Sequence, residues 1–300
     1  MTAGSVTEKF MAKIKFLTDS NCDIPLPLAQ ELGIEILPFT ITIDGREYQE
    51  AYSFTPSEYY RLLEASSDLP KTAQLSPAQF LAAFERAYAE GYTDAICTTM
   101  TSVGSGTYQN ALLARSMFGE LHPEERDRFA IHVIDSANYS ISYGYGVILG
   151  ARAALSGGDL TAVLAEMNGW FRRLETYFTV FNLKYIRKSG RIGPATHVIG
   201  EMMGIKLVLS NLNGTFKTEK MARGKALAIQ GVADFFARRR RDGTDYVILR
   251  GVSDAEAQRL AALTTEICGY PPVGIFYAGP SISTNTGIEI TGIGFCAKGI

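Results

Sequence analysis

The chain has 300 residues, 46% hydrophobic and 20% charged, enough to bury one large core or two smaller ones, and two domains are expected. Its 29 lysines and arginines against 31 aspartates and glutamates leave a net charge of −2, which excludes the global positive field that gathers nucleic acid or an anionic membrane surface. Cys22, Cys97, Cys268 and Cys296 are scattered, with no C-x-x-C pair and no histidine at ligand spacing, so reduced cytosolic thiols are expected rather than a metal site.

Nothing approaches the roughly 20 consecutive apolar residues that span a bilayer, and the start "MTAGSVTEKFMAKIKFL" lacks the apolar core of a signal peptide. A cytoplasmic location without stable membrane insertion is expected, with the residues before Lys13 as a tail. "KIKFLTDS" then reads as a strand, "PLPLAQELG" as a helix closed by Gly33, and "IEILPFTITI" as an apolar second strand before the Asp44-Gly45 turn. "TPSEYYRLLEA" and "SPAQFLAAFERAYAEG" each open with a hydroxyl residue, a proline and an early Glu or Gln, the start signals of helices. "DAICTTM" and "FAIHVIDS" are buried strands, and "ISYGYGVILGARAALSGG" and "DLTAVLAEMNGWFRRLE" are helices. Alternation of this kind predicts a three-layer α/β/α domain with a parallel sheet over residues 13–175.

After Glu175 the pattern changes. "TYFTVFNL", "GIKLVLSNLNGTFKTEK", "DYVILRG", "PPVGIFYAG" and "IEITGIGFC" are strands, with an Asn213-Gly214 turn and helices near residues 193–203, 223–240 and 254–267. These predict a two-layer α/β domain with a mixed sheet over residues 176–300. The only basic block, Arg238 to Arg241, closes the second of these helices, where cations complement the carbonyl end of the dipole.

In a parallel sheet, ligands bind beyond the carboxyl ends of the strands. There the sequence places "TDSNCD", "TTMTSVGSGTY" and "IDSANYSISYG", with "LPKTAQLSP" alongside. One such loop is ordinarily a helix cap. Four at one sheet edge concentrate hydroxyls and amides into an anion site. Gly104 and Gly106 would let the backbone approach the anion, with Ser105 and Thr107 in the same turn. Catalytic signatures are missing: Ser102 occupies the first position of the hydrolase elbow, where glycine is required, and no phosphate loop, dinucleotide fingerprint or HExxH motif is present. His132 sits in a strand and His122 in a polar loop, while His197 could face a site.

The segments "KIKFLTDSNCDIPLPLAQELGIEILPFTITIDGREY", "SGTYQNA", "VIDSANYSISYGYG", "YIRKSGRIG" and "AGPSISTNTG" resemble, in order, those of the DegV family of bacterial fatty-acid-binding proteins. The resemblance implies a two-domain protein that holds one long-chain fatty acid between its domains and presents the carboxylate to a separate fatty acid kinase for acyl phosphate formation. It also implies that the chain is no enzyme itself and has no cofactor beyond the bound lipid. By motif, Thr72, Thr101 and Ser102 would donate to the head group. Arg191 would support the carboxylate or the developing phosphate, or else form an interdomain salt bridge. Tyr277 stands where the family commonly has histidine, and could donate a hydrogen bond without gaining charge.

Burying about 16 carbons at ~0.8 kcal/mol per methylene amounts to ~12 kcal/mol before ordering costs, so the tail needs a closed tunnel. "YGVILGARAAL" and "HVIGEMMG", with Met202 and Met203, could line it or be plain core. Two other readings stay open: an acyl or phosphoryl transfer enzyme with Ser102 or Ser105 as nucleophile, and a small-molecule sensor on the same fold.

Overall fold

The computed structural model describes residues 12–125, 128–189 and 204–299. Arg191, His197, Met202 and Met203, with the helix expected near residues 193–203, lie outside the described residues.

The first half contains β1 (Ile14–Asp19), α1 (Leu26–Glu31), β2 (Ile34–Leu37), β3 (Thr40–Ile43), β4 (Arg46–Gln49), α2 (Pro56–Ala65), β5 (Lys71–Ala73), α3 (Pro77–Ala89), β6 (Asp94–Thr99), α4 (Thr107–Leu121), β7 (Ala130–Asp135), α5 (Ser140–Leu155) and α6 (Leu160–Phe171). Four of its strands make a parallel sheet in the order β2-β1-β6-β7. The helix starts follow the predicted chemistry: Thr55 with Glu58 and Ser76 with Gln79 both close reciprocal capping boxes, each followed by proline.

One expectation is corrected. "IEILPFTITI" is not one strand: Pro38, with no N–H to donate, separates β2 of the parallel sheet from β3, which pairs with β4 and β5 in a small antiparallel sheet. That break carries β5, and with it Thr72, to the mouth of the larger sheet.

The second half contains β8 (Leu174–Val180), α7 (Leu183–Ser189), β9 (Ile205–Leu212), β10 (Thr215–Arg223), α8 (Lys225–Arg239), β11 (Tyr246–Arg250), α9 (Asp254–Cys268), β12 (Ile275–Tyr277), α10 (Pro280–Thr286) and β13 (Ile290–Cys296). Its six strands form a mixed sheet in the order β10-β9-β8-β13-β11-β12, antiparallel except for β11 with β12. Asn213 and Gly214 turn β9 into β10, both with positive φ (52° and 80°), the geometry of a tight hairpin.

Helices α8 and α9 bury the outer face of this sheet, around Phe236, Tyr246 and Phe295. The inner face, with Phe178, Leu207, Leu209 and Leu249, joins one continuous core with the parallel sheet. Helix α5 lies between the two sheets, touching β1 on one side and β8, β11 and β13 on the other. It is apolar nearly all round and almost wholly buried, as a helix packed on two faces must be. Arg239 of the basic block donates through Nε to Glu175 at 3.0 Å, and Arg238 lies over the Phe235 ring.

Helices α7 and α10 carry no apolar period that would announce them. In α10, "PSISTNT", side chains bond back into the helix: Thr284 Oγ1 to Pro280 O at 2.7 Å, Asn285 Nδ2 to Ser281 O at 2.7 Å and Thr286 Oγ1 to Ile282 O at 3.0 Å.

Candidate functional site

A cavity of about 390 Å³ opens where the carboxyl ends of β1 and β6 meet β5, β10 and α10. Its polar lining is Asn21, Thr72, Gln74, Ser105, Tyr139, Ser281, Asn285 and Thr286, with no charged side chain among the described lining residues. Gln74 organises the turn before α4: its Oε1 accepts from Gly106 N at 2.8 Å and from Ser105 Oγ at 3.3 Å. The Ser105 and Thr107 hydroxyls are 2.8 Å apart, and Thr107 is fully buried, so the turn is held from beneath. On the opposite wall Asn21 donates to Ser281 Oγ at 2.9 Å and accepts from Ser140 N at 3.2 Å. The result is a rim of neutral donors and acceptors rather than an ion-pairing site.

Of the residues expected here, Thr72, Gly104 and Ser105 line the cavity, while Gly106 and Thr107 hold its turn. Thr101 and Ser102 do not line it. Thr101 is fully buried, its Oγ1 accepting from Val103 N at 3.2 Å, and a methyl group placed on Gly214 would collide with that oxygen. Ser102 N donates to both Asp135 carboxylate oxygens at 3.2 Å, which anchors the loop. Arg191 lies outside the described residues. Tyr277 lines a different cavity, half-exposed under the Arg250 guanidinium, which sits 4.4 Å from its ring centre.

The sequence reading missed Asn21, Gln74, Ser281, Asn285 and Thr286 as lining residues. Gln74 stands two positions after Thr72. The density of hydroxyls and amides in "PSISTNT" was a usable signal for the α10 residues. Tyr139 and Phe216 carried none, because their role is a contact between distant segments.

Adjoining it, toward the contact of the two sheets, is a small apolar extension of about 40 Å³. The two share Tyr139, Phe216, Ile282 and Thr286, and the extension reaches Phe178, Leu249 and Ile290 between the two sheets. Tyr139 and Phe216 stack at 4.8 Å between ring centres, and Phe216 meets Phe178 edge-on at 5.7 Å.

The second cavity, about 520 Å³, lies across the wall made by Ser20 and the start of α10. Two carboxyls line it, the buried Glu50 and the partly buried Asp23. Glu50 accepts from Ser20 Oγ and Ser281 N, both at 2.6 Å, and Asp23 accepts from Ser140 Oγ. Burial pushes both carboxyls above their ordinary range. Asp19 beneath them is raised to about 7, again by burial, against the opposing bonds from Met100 N, Tyr143 OH and Asn21 N. A carboxylate ligand entering this second cavity would meet Asp23 and Glu50 and no cation among the described lining residues, so the first cavity, without an acid among its described lining residues, is the better acceptor of one.

His132 pairs with Asp94 at 3.0 Å at the amino end of β6, the sheet edge away from the site, and His122 packs on Phe118. Among the described residues no group of three or more His, Cys, Asp or Glu is placed to hold a metal ion, and no helix is long and apolar enough to cross a membrane.

A profile of the family described as "Uncharacterised protein, DegV family" matches residues 13–298. A DegV domain-containing protein of Caldanaerobacter subterraneus subsp. tengcongensis is 32% identical over 225 residues, which span 75% of this chain and 77% of that protein. The structure is similar to that of a fatty-acid-binding DegV family protein from Thermus thermophilus, with a TM-score of 0.81 and 25% identity, covering 95% of this chain and 100% of the other. It shares its fold with the Streptococcus pneumoniae fatty acid kinase B3 protein loaded with linoleic acid, at a TM-score of 0.82 and 21% identity over 95% and 100% of the two chains.

Proposed function

The chain belongs to the DegV family, and on that premise we propose that it binds one long-chain fatty acid, with the carboxylate at the hydroxyl and amide rim and the tail directed inward toward the apolar contact of the two sheets. The observation that supports this reading is adjacency: a polar mouth with no charged side chain among the described lining residues shares Tyr139, Phe216, Ile282 and Thr286 with an apolar space at the contact of the two sheets. Hydrogen bonds from Thr72 and Ser105 would orient the head group, and burial of methylenes would supply the affinity. Residues 13–175 would carry the head-group loops and residues 176–300 would close over the chain.

The carrier would act in the cytoplasm, delivering the bound carboxylate to a separate fatty acid kinase that forms the acyl phosphate. Arg191, placed by resemblance, would support the charge that develops there. An enzyme with its own serine nucleophile is the weaker reading. Ser105 Oγ is engaged by Gln74 and Thr107, and no histidine stands among the described lining residues to take its proton.

Native mass spectrometry of the chain purified from bacterial culture tests the proposal. A co-purified mass matching a fatty acid, exchangeable after lipid extraction, is the expected result. A stripped protein that takes up no fatty acid would overturn it.

A further inference from the structure

Among the described residues, the side chain of Asn211 on β9 has no hydrogen-bond partner. Its register neighbours are Thr176 on β8 and Phe216 on β10, and it shares the inner sheet face with Leu207 and Leu209. The next residue outward, Ser210, faces the other way and bonds Glu219 at 2.9 Å. Asn211 is only 1% exposed and lines the apolar extension of the cavity, yet neither its Nδ2 nor its Oδ1 has a hydrogen-bond partner among the described residues. Its register neighbour Thr176 is engaged elsewhere: Thr176 Oγ1 donates to Asn138 Oδ1 at 3.0 Å, and that same oxygen accepts from Tyr139 N at 2.9 Å.

A buried amide with both ends unpaired is costly, and leucine would fill the position if packing were all it required. An unsubstituted alkyl chain beside Asn211 leaves both atoms unpaired. A ketone accepts from Nδ2 and leaves Oδ1 unpaired. A hydroxyl satisfies both, donating its proton to Oδ1 and accepting from Nδ2. We propose that the inner cavity selects an acyl chain bearing a hydroxyl group along its length, recognised by Asn211. This inference rests on the fatty acid reading above and deepens it.

The test uses the full-length chain stripped of lipid and titrated calorimetrically with octadecanoic acid and with a series of monohydroxyoctadecanoic acids that differ in hydroxyl position. At least one isomer is expected to bind about tenfold or more tightly than octadecanoic acid, because a site built to pair a hydroxyl discriminates against the ligand that lacks it. Asn211→Leu is expected to abolish that preference, so that no hydroxylated isomer binds the variant more tightly than octadecanoic acid does. If every hydroxylated isomer binds no better than octadecanoic acid, the selection by Asn211 is wrong and the fatty acid reading stands. If no acid of either kind binds, both fall together. The ranking on the native chain decides the matter even where the leucine variant fails to fold.

Discussion

Asn21 Nδ2 donates to Ser281 Oγ at 2.9 Å, joining residues 260 positions apart. Asn21 follows β1 of the parallel sheet and Ser281 opens α10, so this bond ties the two halves of the chain at the cavity wall. The amide of Asn21 also accepts from Ser140 N, and Ser281 N donates to the buried Glu50, so each partner is held by a second bond.

Loss of that tie is expected to show in stability. Asn21→Ala leaves Ser140 N without its acceptor and should cost about 1–3 kcal/mol. In a double-mutant cycle with Ser281→Ala, followed by urea unfolding, the two changes should be non-additive by roughly 0.5–1.5 kcal/mol. Strict additivity would mean that the bond carries no energy in solution.

The head-group assignment separates residues that the sequence alone groups together. Thr72→Val with Ser105→Ala should weaken fatty acid binding at least tenfold in lipid-stripped protein, since each bond to a charged group contributes about 1.5–3 kcal/mol. Ser102→Ala should bind normally, because Ser102 does not line the cavity. Reversal of that order, with Ser102 mattering and the pair not, would relocate the head group.

Phe216 lines both the mouth and the extension. Phe216→Ala removes its stack on Tyr139 and its contact with Phe178, and should destabilise the chain by ~2 kcal/mol while lowering fatty acid affinity several-fold. Wild-type affinity in the folded variant would show that the tail takes another path.

Arg191→Ala should bind fatty acid within several-fold of the native chain yet be a poor substrate for the kinase, because a guanidinium contributes most where charge accumulates in transfer. An interdomain salt bridge would instead lower the melting temperature and leave acyl phosphate formation by the folded fraction near normal. Affinity, melting temperature and transfer rate on one preparation distinguish the two.

The buried carboxyls set the sign of the pH dependence. Asp19 rises from 3.8 to about 7 on folding, so the native state holds its proton more tightly than the unfolded chain. Its contribution to stability is complete below the unfolded value and is lost as pH rises through the folded one, with Asp23 and Glu50 shifted in the same direction. The urea midpoint should therefore fall between about pH 5 and about pH 7.5, and a midpoint that rises over that window would contradict the raised values.

Local chemistry was enough to specify the capping boxes at Thr55 and Ser76, the Asn213-Gly214 hairpin and the alternation that builds the parallel sheet, because each depends on neighbours within a few positions. The turn from Gly104 to Thr107 was legible for the same reason, in one short stretch, whereas the place of Thr72 at the cavity followed from the pairing of β5 with β3. Tertiary structure alone decided that Pro38 would send β3 to another sheet and that a helix of serines and threonines would form against Glu50. It alone turned Tyr277 toward the acidic cavity and brought Phe216 onto Tyr139 across the interface of the sheets. Those outcomes depend on surfaces contributed by segments far apart in the chain, and a hydroxyl or a ring has the same local signature whether it faces a ligand, a neighbouring helix or solvent.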